Sequence, residues 1–300
     1  MVEFAKRGLK LKRERVIMDD FVIDGDMLSR TYYSTAEVAD DAITAIRLNG
    51  THPYRIGDDK ERLFFGGVTW DEAIEMARHG WSEQLDTAME IAESAVKLCE
   101  QEHETYTFAP VFDVAGGDVD VSRFLAGEPE CMVDYPLTPT SKVGRVITLC
   151  VGLGMPSFTD ADDALKRGYA IAGLALALAR LGHSIEIWGD YTAKTRTSSY
   201  ILRSRVLVKG VNDVLDPATV MFTISHPAFA RACLMKGARR NTPQPWFDAM
   251  EMNGGCGYSI DPVRDLPDGT IYVPPIKHTD DLDPHSVLTG YLRELELLAS

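Results

Sequence analysis

The run Gly144-Arg-Val-Ile-Thr-Leu-Cys-Val151 is apolar at almost every position and shows no polar–apolar alternation. A strand of that kind has to be covered on both faces, which places it inside a parallel sheet flanked by helices. The next loop holds Gly152, Gly154 and Pro156 and ends at Thr159, a residue able to cap a helix whose first turn carries Asp160, Asp162 and Asp163. That helix is predicted to run to Leu181 and stop at Gly182. His183 to Trp188 reads as a second strand and Tyr200 to Val208 as a third. The polar loop between them is too short for a crossover helix, so the pair is predicted to be an antiparallel hairpin. Asp216-Pro217 and Ser225 mark two further helix starts, Ile271 to Val273 a late strand, and Asp283-Pro284 a final helix to Leu298.

Upstream, Thr69-Trp-Asp-Glu72 matches a capping box, predicting a short helix that ends near Gly80. From Ser82 a longer helix follows, with Leu85, Ala88, Met89, Ala92, Ala95, Val96 and Cys99 forming one apolar stripe. Thr105 to Val114 reads as a strand broken by Ala115-Gly116-Gly117, followed by a short helix near Val121 to Ala126. The strand and the Ser82–Cys99 helix are expected to pack on the same body as the C-terminal half. Tyr135 to Lys142 contains prolines and reads as a linker. It divides residues 1–142, an N-terminal α+β segment, from residues 143–300.

The fold class expected for the second part is α/β, a three-layer Rossmann-like sandwich. Its sheet should be mostly parallel, with one antiparallel edge strand near Tyr200–Val208. The order strand, helix, strand, antiparallel strand, helices, strand, helix resembles a von Willebrand factor A-like domain over roughly Gly144 to Leu298. The chain also resembles a family of uncharacterised proteins from actinobacterial phages and mobile elements. The stretches that carry this likeness are Phe108-Ala-Pro-Val-Phe-Asp-Val-Ala115, Gly127-Glu-Pro-Glu-Cys-Met132, Gly144-Arg-Val-Ile-Thr-Leu149, Arg167-Gly168 and Glu186-Ile-Trp188. No activity follows from that likeness.

A net charge of -14 disfavours broad binding to nucleic acid or anionic membranes and also serves solubility. The exception is the basic run Lys6 to Arg15, readable as a docking arm or as a solvated strand beside Asp19, Asp20, Asp24 and Asp26. The five cysteines are widely spaced without a CxxC pair, which suits a reducing compartment. The N-terminus lacks a signal-peptide core, and the longest apolar stretch, Tyr169 to Leu181, is too short for a bilayer, so the cytoplasm is the expected location.

Three kinds of chemical site come into question. An A-domain that binds Mg²⁺ does so through oxygen ligands directly after its first strand, yet between Arg145 and Pro156 there is no Asp, Glu or Ser. No metal is therefore expected there, and no cofactor elsewhere. Gly152-x-Gly154 invites a nucleotide or phosphate loop ending at Ser157, with Asp190 as ribose partner, although Ser157 stands where the third glycine belongs. Cys256, in Gly254-Gly-Cys-Gly257, could be an exposed thiol with His226 or His278 as base, but nothing in sequence brings either close. The stretch from Arg239 and Arg240 through Trp246 and Phe247 to Tyr258 has the residue mix of a protein interface, or of a loop anchored on its own core by Trp246. The function expected is a non-catalytic protein–protein interaction or assembly role in a phage or mobile element, with a protein partner or homo-oligomer. The alternative is an enzyme binding a nucleotide or phosphate ligand at Gly152–Ser157.

Overall fold

The computed structural model describes residues 15–17, 20–49, 58–83, 85–102, 105–108, 110–140, 144–155, 161–194, 199–250, 258–259, 266–276 and 283–298. The described residues open with an antiparallel meander of β1 (Arg15–Ile17), β2 (Val22–Asp24) and β3 (Met27–Tyr32). Three helices follow: α1 (Thr35–Asn49), α2 (Asp58–Phe64) and α3 (Trp70–His79). The capping box at α3 is formed as predicted, with the Thr69 hydroxyl accepting from the Glu72 N–H and the Glu72 carboxylate accepting from the Thr69 N–H. The predicted apolar stripe belongs to α4 (Leu85–Glu102), whose Ala88, Ala92, Ala95 and Cys99 are buried.

Next comes an excursion of small elements: β4 (Thr105–Phe108), β5 (Val111–Asp113), β6 (Asp118–Val119), α5 (Val121–Leu125), β7 (Met132–Asp134) and β8 (Leu137–Thr140). Two expectations change here. The strand read at Thr105–Val114 does not join the body, because it pairs with β7 and β8 instead. The stretch read as a linker contains β8, so the chain returns along its own outward path.

The long apolar run forms β9 (Val146–Gly152), and α6 (Ala161–Arg180) carries Asp162 and Asp163 in its first turn. Gly182, at φ +83, ends that helix with the His183 N–H donating to the Leu178 carbonyl. β10 (Ser184–Lys194) and β11 (Ile201–Lys209) form the predicted hairpin. Asp216 caps α7 (Pro217–Ser225), which passes through His226 into a π-helical segment, Phe229–Leu234, continued by α8 (Met235–Gly237). α9 (Gln244–Met250), β12 (Tyr258–Ser259), β13 (Ile271–Val273) and the Asp283-capped α10 (Pro284–Glu294) complete the order.

The main sheet is mixed and runs β1-β2-β3-β11-β10-β9-β13, with β12 pairing the end of β10. β13, β9 and β10 are mutually parallel, and β11 is antiparallel to β10. The antiparallel strand is not an edge, however. β3 lies alongside it in parallel, so the N-terminal meander extends the sheet on the side where the hairpin was expected to end it. Strand β11 is buried along most of its length, and an exposed row of its N–H and C=O groups would have invited foreign pairing.

The two faces of the sheet differ. Leu28, Tyr32, Leu149, Val151, Ile187, Tyr191, Leu202 and Val206 share one face and join the helices in a single apolar core. The alternate positions carry Thr148, Glu186, Trp188, Asp190, Thr192, Arg203 and Arg205. The second face is thus mixed, polar at those positions and apolar at Met27, Val146, Cys150, Ile201, Leu207 and Tyr272. The alternation was hidden in the sequence by β9, whose Cys150 and Gly152 read as apolar although they lie on the mixed side.

Helix α6 is buried nearly all round because α4, α7 and α10 pack against it. Two glycines permit this. A Cβ on Gly173 would lie 2.7 Å from Ile91 of α4, and one on Gly168 would lie 1.7 Å from Ser225 Oγ and 2.8 Å from Ser225 Cα in α7. The second of these clashes is with the main chain of α7, so no rotamer change relieves it. Gly168→Ala is expected to cost about 1–3 kcal/mol by forcing α6 and α7 apart. Urea unfolding measures this, and adding Ser225→Gly should recover part of the loss. An unchanged midpoint for the single variant would rule out this close approach.

Candidate interaction surface

Three places could carry function. The first is the C-terminal end of β9, where the strand order turns from β10 on one side to β13 on the other. Ligands of open α/β sheets bind in the crevice at such a point. Among the described residues, part of this crevice is taken up by the chain itself. Buried Arg167, on the first turns of α6, reaches back and donates to the carbonyls of Gly152 (3.0 Å) and Pro274 (2.6 Å). A Cβ on Gly152 would sit 2.6 Å from the Pro275 ring, so this glycine admits Pro275. Gly154 is buried, and the Leu153 N–H donates to the Asp190 carbonyl at 2.7 Å. The Asp190 carboxylate is enclosed on the mixed face of the sheet. It accepts from Arg203 Nε and from the Thr192 hydroxyl, each at 2.6 Å, with Asp190 and Arg203 side chains almost wholly buried. Ser157 lies outside the described residues, as do Cys256 and His278.

His226 is at the junction of α7 and the π-helical segment. Its Nδ1 accepts from the Ala228 N–H, and the ring packs edge-on to Trp81 and against Phe222. Burial lowers its pKa to about 4, so it is a neutral core histidine at neutral pH. Among the described residues, no group of three or more His, Cys, Asp or Glu is arranged to hold a metal ion. No helix of the described residues is long and apolar enough to cross a membrane.

The second place is the aromatic–arginine stretch. The structure turns it inward. Trp246 is only 6% exposed, donates its indole N–H to the Asp26 carbonyl at 2.9 Å and meets Tyr200 edge-on. Arg239 is buried over the Phe247 ring. Arg240 shares Asp41 with Arg30, and its carbonyl accepts from Arg30. Tyr258 belongs to β12, paired to β10 at Lys194. Arg239, Arg240 and Trp246 are thus engaged within the fold, as a loop anchored on its own core by Trp246 would be, while Phe247 is half-buried and the Tyr258 side chain lies outside the described residues. The physical reason for the anchor is the large apolar area of Trp, which is better removed from water within the fold.

The third place is the excursion between α4 and β9, where the sequence suggests elements but no surface. Its two ladders share one register: Thr105↔Thr140 and Phe108↔Leu137 continue as Val111↔Asp134 and Asp113↔Met132. They form one hairpin arm, interrupted where Pro110 and Pro136 have no N–H to donate. At the tip, β6 pairs β7, and Asp120 caps α5 by accepting from the Arg123 N–H. Arg123 lays its guanidinium 4.0 Å from the centre of the Phe112 ring, which holds α5 against the sheet. Among the described residues, the arm's elements pack mainly on one another rather than on the main sheet or its helices.

The tip exposes what a stable domain buries. Val121, Phe124 and Leu125 stand at i, i+3 and i+4 on α5, forming an apolar stripe, and are 64%, 62% and 78% exposed. Val111, Val114, Val119 and Tyr135 are exposed as well, so seven of the thirteen exposed large hydrophobic residues described lie between 111 and 135. Val133 is the one buried apolar side chain described there. Three strands of two or three residues with so small a core are marginal alone, and a concentrated apolar patch marks a contact site. The signal was present in the sequence as the 121/124/125 spacing, but an apolar stripe at helical spacing ordinarily denotes core.

A family model described as Domain of unknown function (DUF7192) matches residues 13–299. The chain belongs to this family. The match runs through the sheet, the helical layer and the arm alike, so the arm lies within the DUF7192 domain. Neither the curated proteins nor the solved structures contain a match.

Proposed function

We propose that this DUF7192 protein is a non-catalytic protein–protein interaction or assembly protein of a phage or mobile element, and that it binds through the tip of its hairpin arm. The observation that carries this reading is the solvent-facing stripe Val121, Phe124 and Leu125 on an arm with almost no core of its own. The order β11-β10-β9-β13, with β11 reversed, supports the von Willebrand A-like reading of the strand order. An enzyme using Gly152–Ser157 and Asp190 is the weaker reading. Arg167 and Pro275 occupy the strand ends, and Arg203 engages the Asp190 carboxylate.

The test is native mass measurement of the complex isolated from its source, for the parent and for Phe124→Ser/Leu125→Ser. The parent should carry a stoichiometric protein partner that the double variant loses. Both side chains are exposed, so the variant's melting temperature should stay within a degree or two of the parent's. A lone monomer carrying a nucleotide would overturn the proposal and move the function to the Gly152 loop.

A further inference from the structure

We infer that the arm tip receives a basic, apolar segment of a different protein, a conclusion that rests on the interaction reading above. The α5 stripe and the short strands beside it carry Asp113, Asp118, Asp120, Glu128, Glu130 and Asp134 within residues 111–135, while Arg123 is the only basic residue in that span. Five of those carboxylates are on exposed residues, and Asp120 is half-exposed. Arg123 is already committed, stacked on Phe112 and paired with Glu128 at 3.3 Å. Among the described residues of the tip, an apolar stripe thus shares its surface with six acidic residues, and the one arginine there is already engaged.

That pattern selects its occupant by exclusion and by fit. Nucleic acid and anionic lipid are polyanions and are repelled by these carboxylates. A second copy docking through the same face would set six carboxylates against six, and like charges facing across an interface cost several kcal/mol. A segment carrying Lys or Arg around apolar anchors satisfies both parts. Its anchors cover Val121, Phe124 and Leu125, and its long aliphatic stems extend that cover while the charged heads reach the carboxylates.

The experiment titrates the full chain with two helical peptides that share one leucine face. One has lysines on its polar face and the other glutamates. The lysine peptide should bind at least about tenfold more tightly, and its affinity should fall as salt rises above about 0.15 M. Phe124→Ser/Leu125→Ser should weaken it by about tenfold or more without changing the melting temperature. Asp118→Asn/Glu130→Gln should weaken it less and flatten the salt dependence. A charge-matched control, Glu90→Gln/Glu100→Gln on the exposed side of α4, should leave the affinity within about twofold. No binding of the lysine peptide, equal binding of both peptides, indifference to Phe124 and Leu125, or an equal loss in the control would each overturn the inference. None of these would by itself remove the interaction reading, which falls if the native chain is a lone monomer or if Phe124→Ser/Leu125→Ser keeps the native partner.

Discussion

Asp190→Ala is expected to destabilise the protein by about 3–5 kcal/mol, the usual cost of leaving one member of a buried ion pair without its partner. Asp190 on β10 lies directly opposite Arg205, yet its carboxylate reaches diagonally to Arg203, the residue opposite Thr192. The Thr192 hydroxyl takes the other oxygen. Removing the carboxylate takes away the charge that Arg203 Nε meets at 2.6 Å, on a side chain only 3% exposed. Arg203→Met is expected to cost a similar amount for the mirror-image reason. The paired replacement Asp190→Leu/Arg203→Met should recover much of the loss, since two apolar groups need no partner. Urea denaturation of the four chains closes the cycle. A loss below about 1 kcal/mol for Asp190→Ala would mean that water reaches the site and the pair is not enclosed.

Acidification from pH 6.5 to 4 should remove about 3 kcal/mol of stability through His226 alone. Burial favours the neutral ring, so the native pKa, about 4, lies below the ordinary 6.5. Between those values the unfolded chain binds a proton that the native state refuses. The contribution is therefore complete above pH 6.5, declines as the pH falls, and is gone below about 4. In His226→Gln that portion of the pH dependence should disappear. Subtracting its unfolding free energies from the parent's isolates the histidine, because the carboxylates titrate in both chains. A difference that stays constant from pH 7 to 4 would show that His226 becomes protonated within the fold. The ring's surroundings explain the preference: Trp81 and Phe222 offer aromatic surface, and Nδ1 is held as an acceptor by the Ala228 N–H.

Local chemistry was legible wherever neighbours in sequence decide it. The Thr69–Glu72 capping box, the Asp216-Pro217 and Asp283-Pro284 helix starts, the stop at Gly182 and the β10–β11 hairpin all depend on residues a few positions apart. The apolar run of β9 and the α4 stripe likewise announced buried elements through their periodicity. Pairing between distant strands left no such mark. β3 beside β11 joins residues more than 170 positions apart, and it turned an expected edge into an interior strand.

The candidate sites divide along the same line. Gly152, Asp190 and Trp246 were singled out as residue types suited to ligands or partners, and each was claimed by a contact from elsewhere in the chain: Pro275, Arg203 and the Asp26 carbonyl. The spacing of Val121, Phe124 and Leu125 dictated one apolar stripe on a short helix, and nothing within the sequence said whether that stripe faced a core. Only the fold decided it. The proline-broken hairpin pairs with itself rather than with the main sheet, and the stripe that would ordinarily be buried meets solvent. Sequence determines which surfaces avoid water, because that depends on composition and period. Which of them finds cover depends on where the whole chain places its other surfaces, and that is set by tertiary packing.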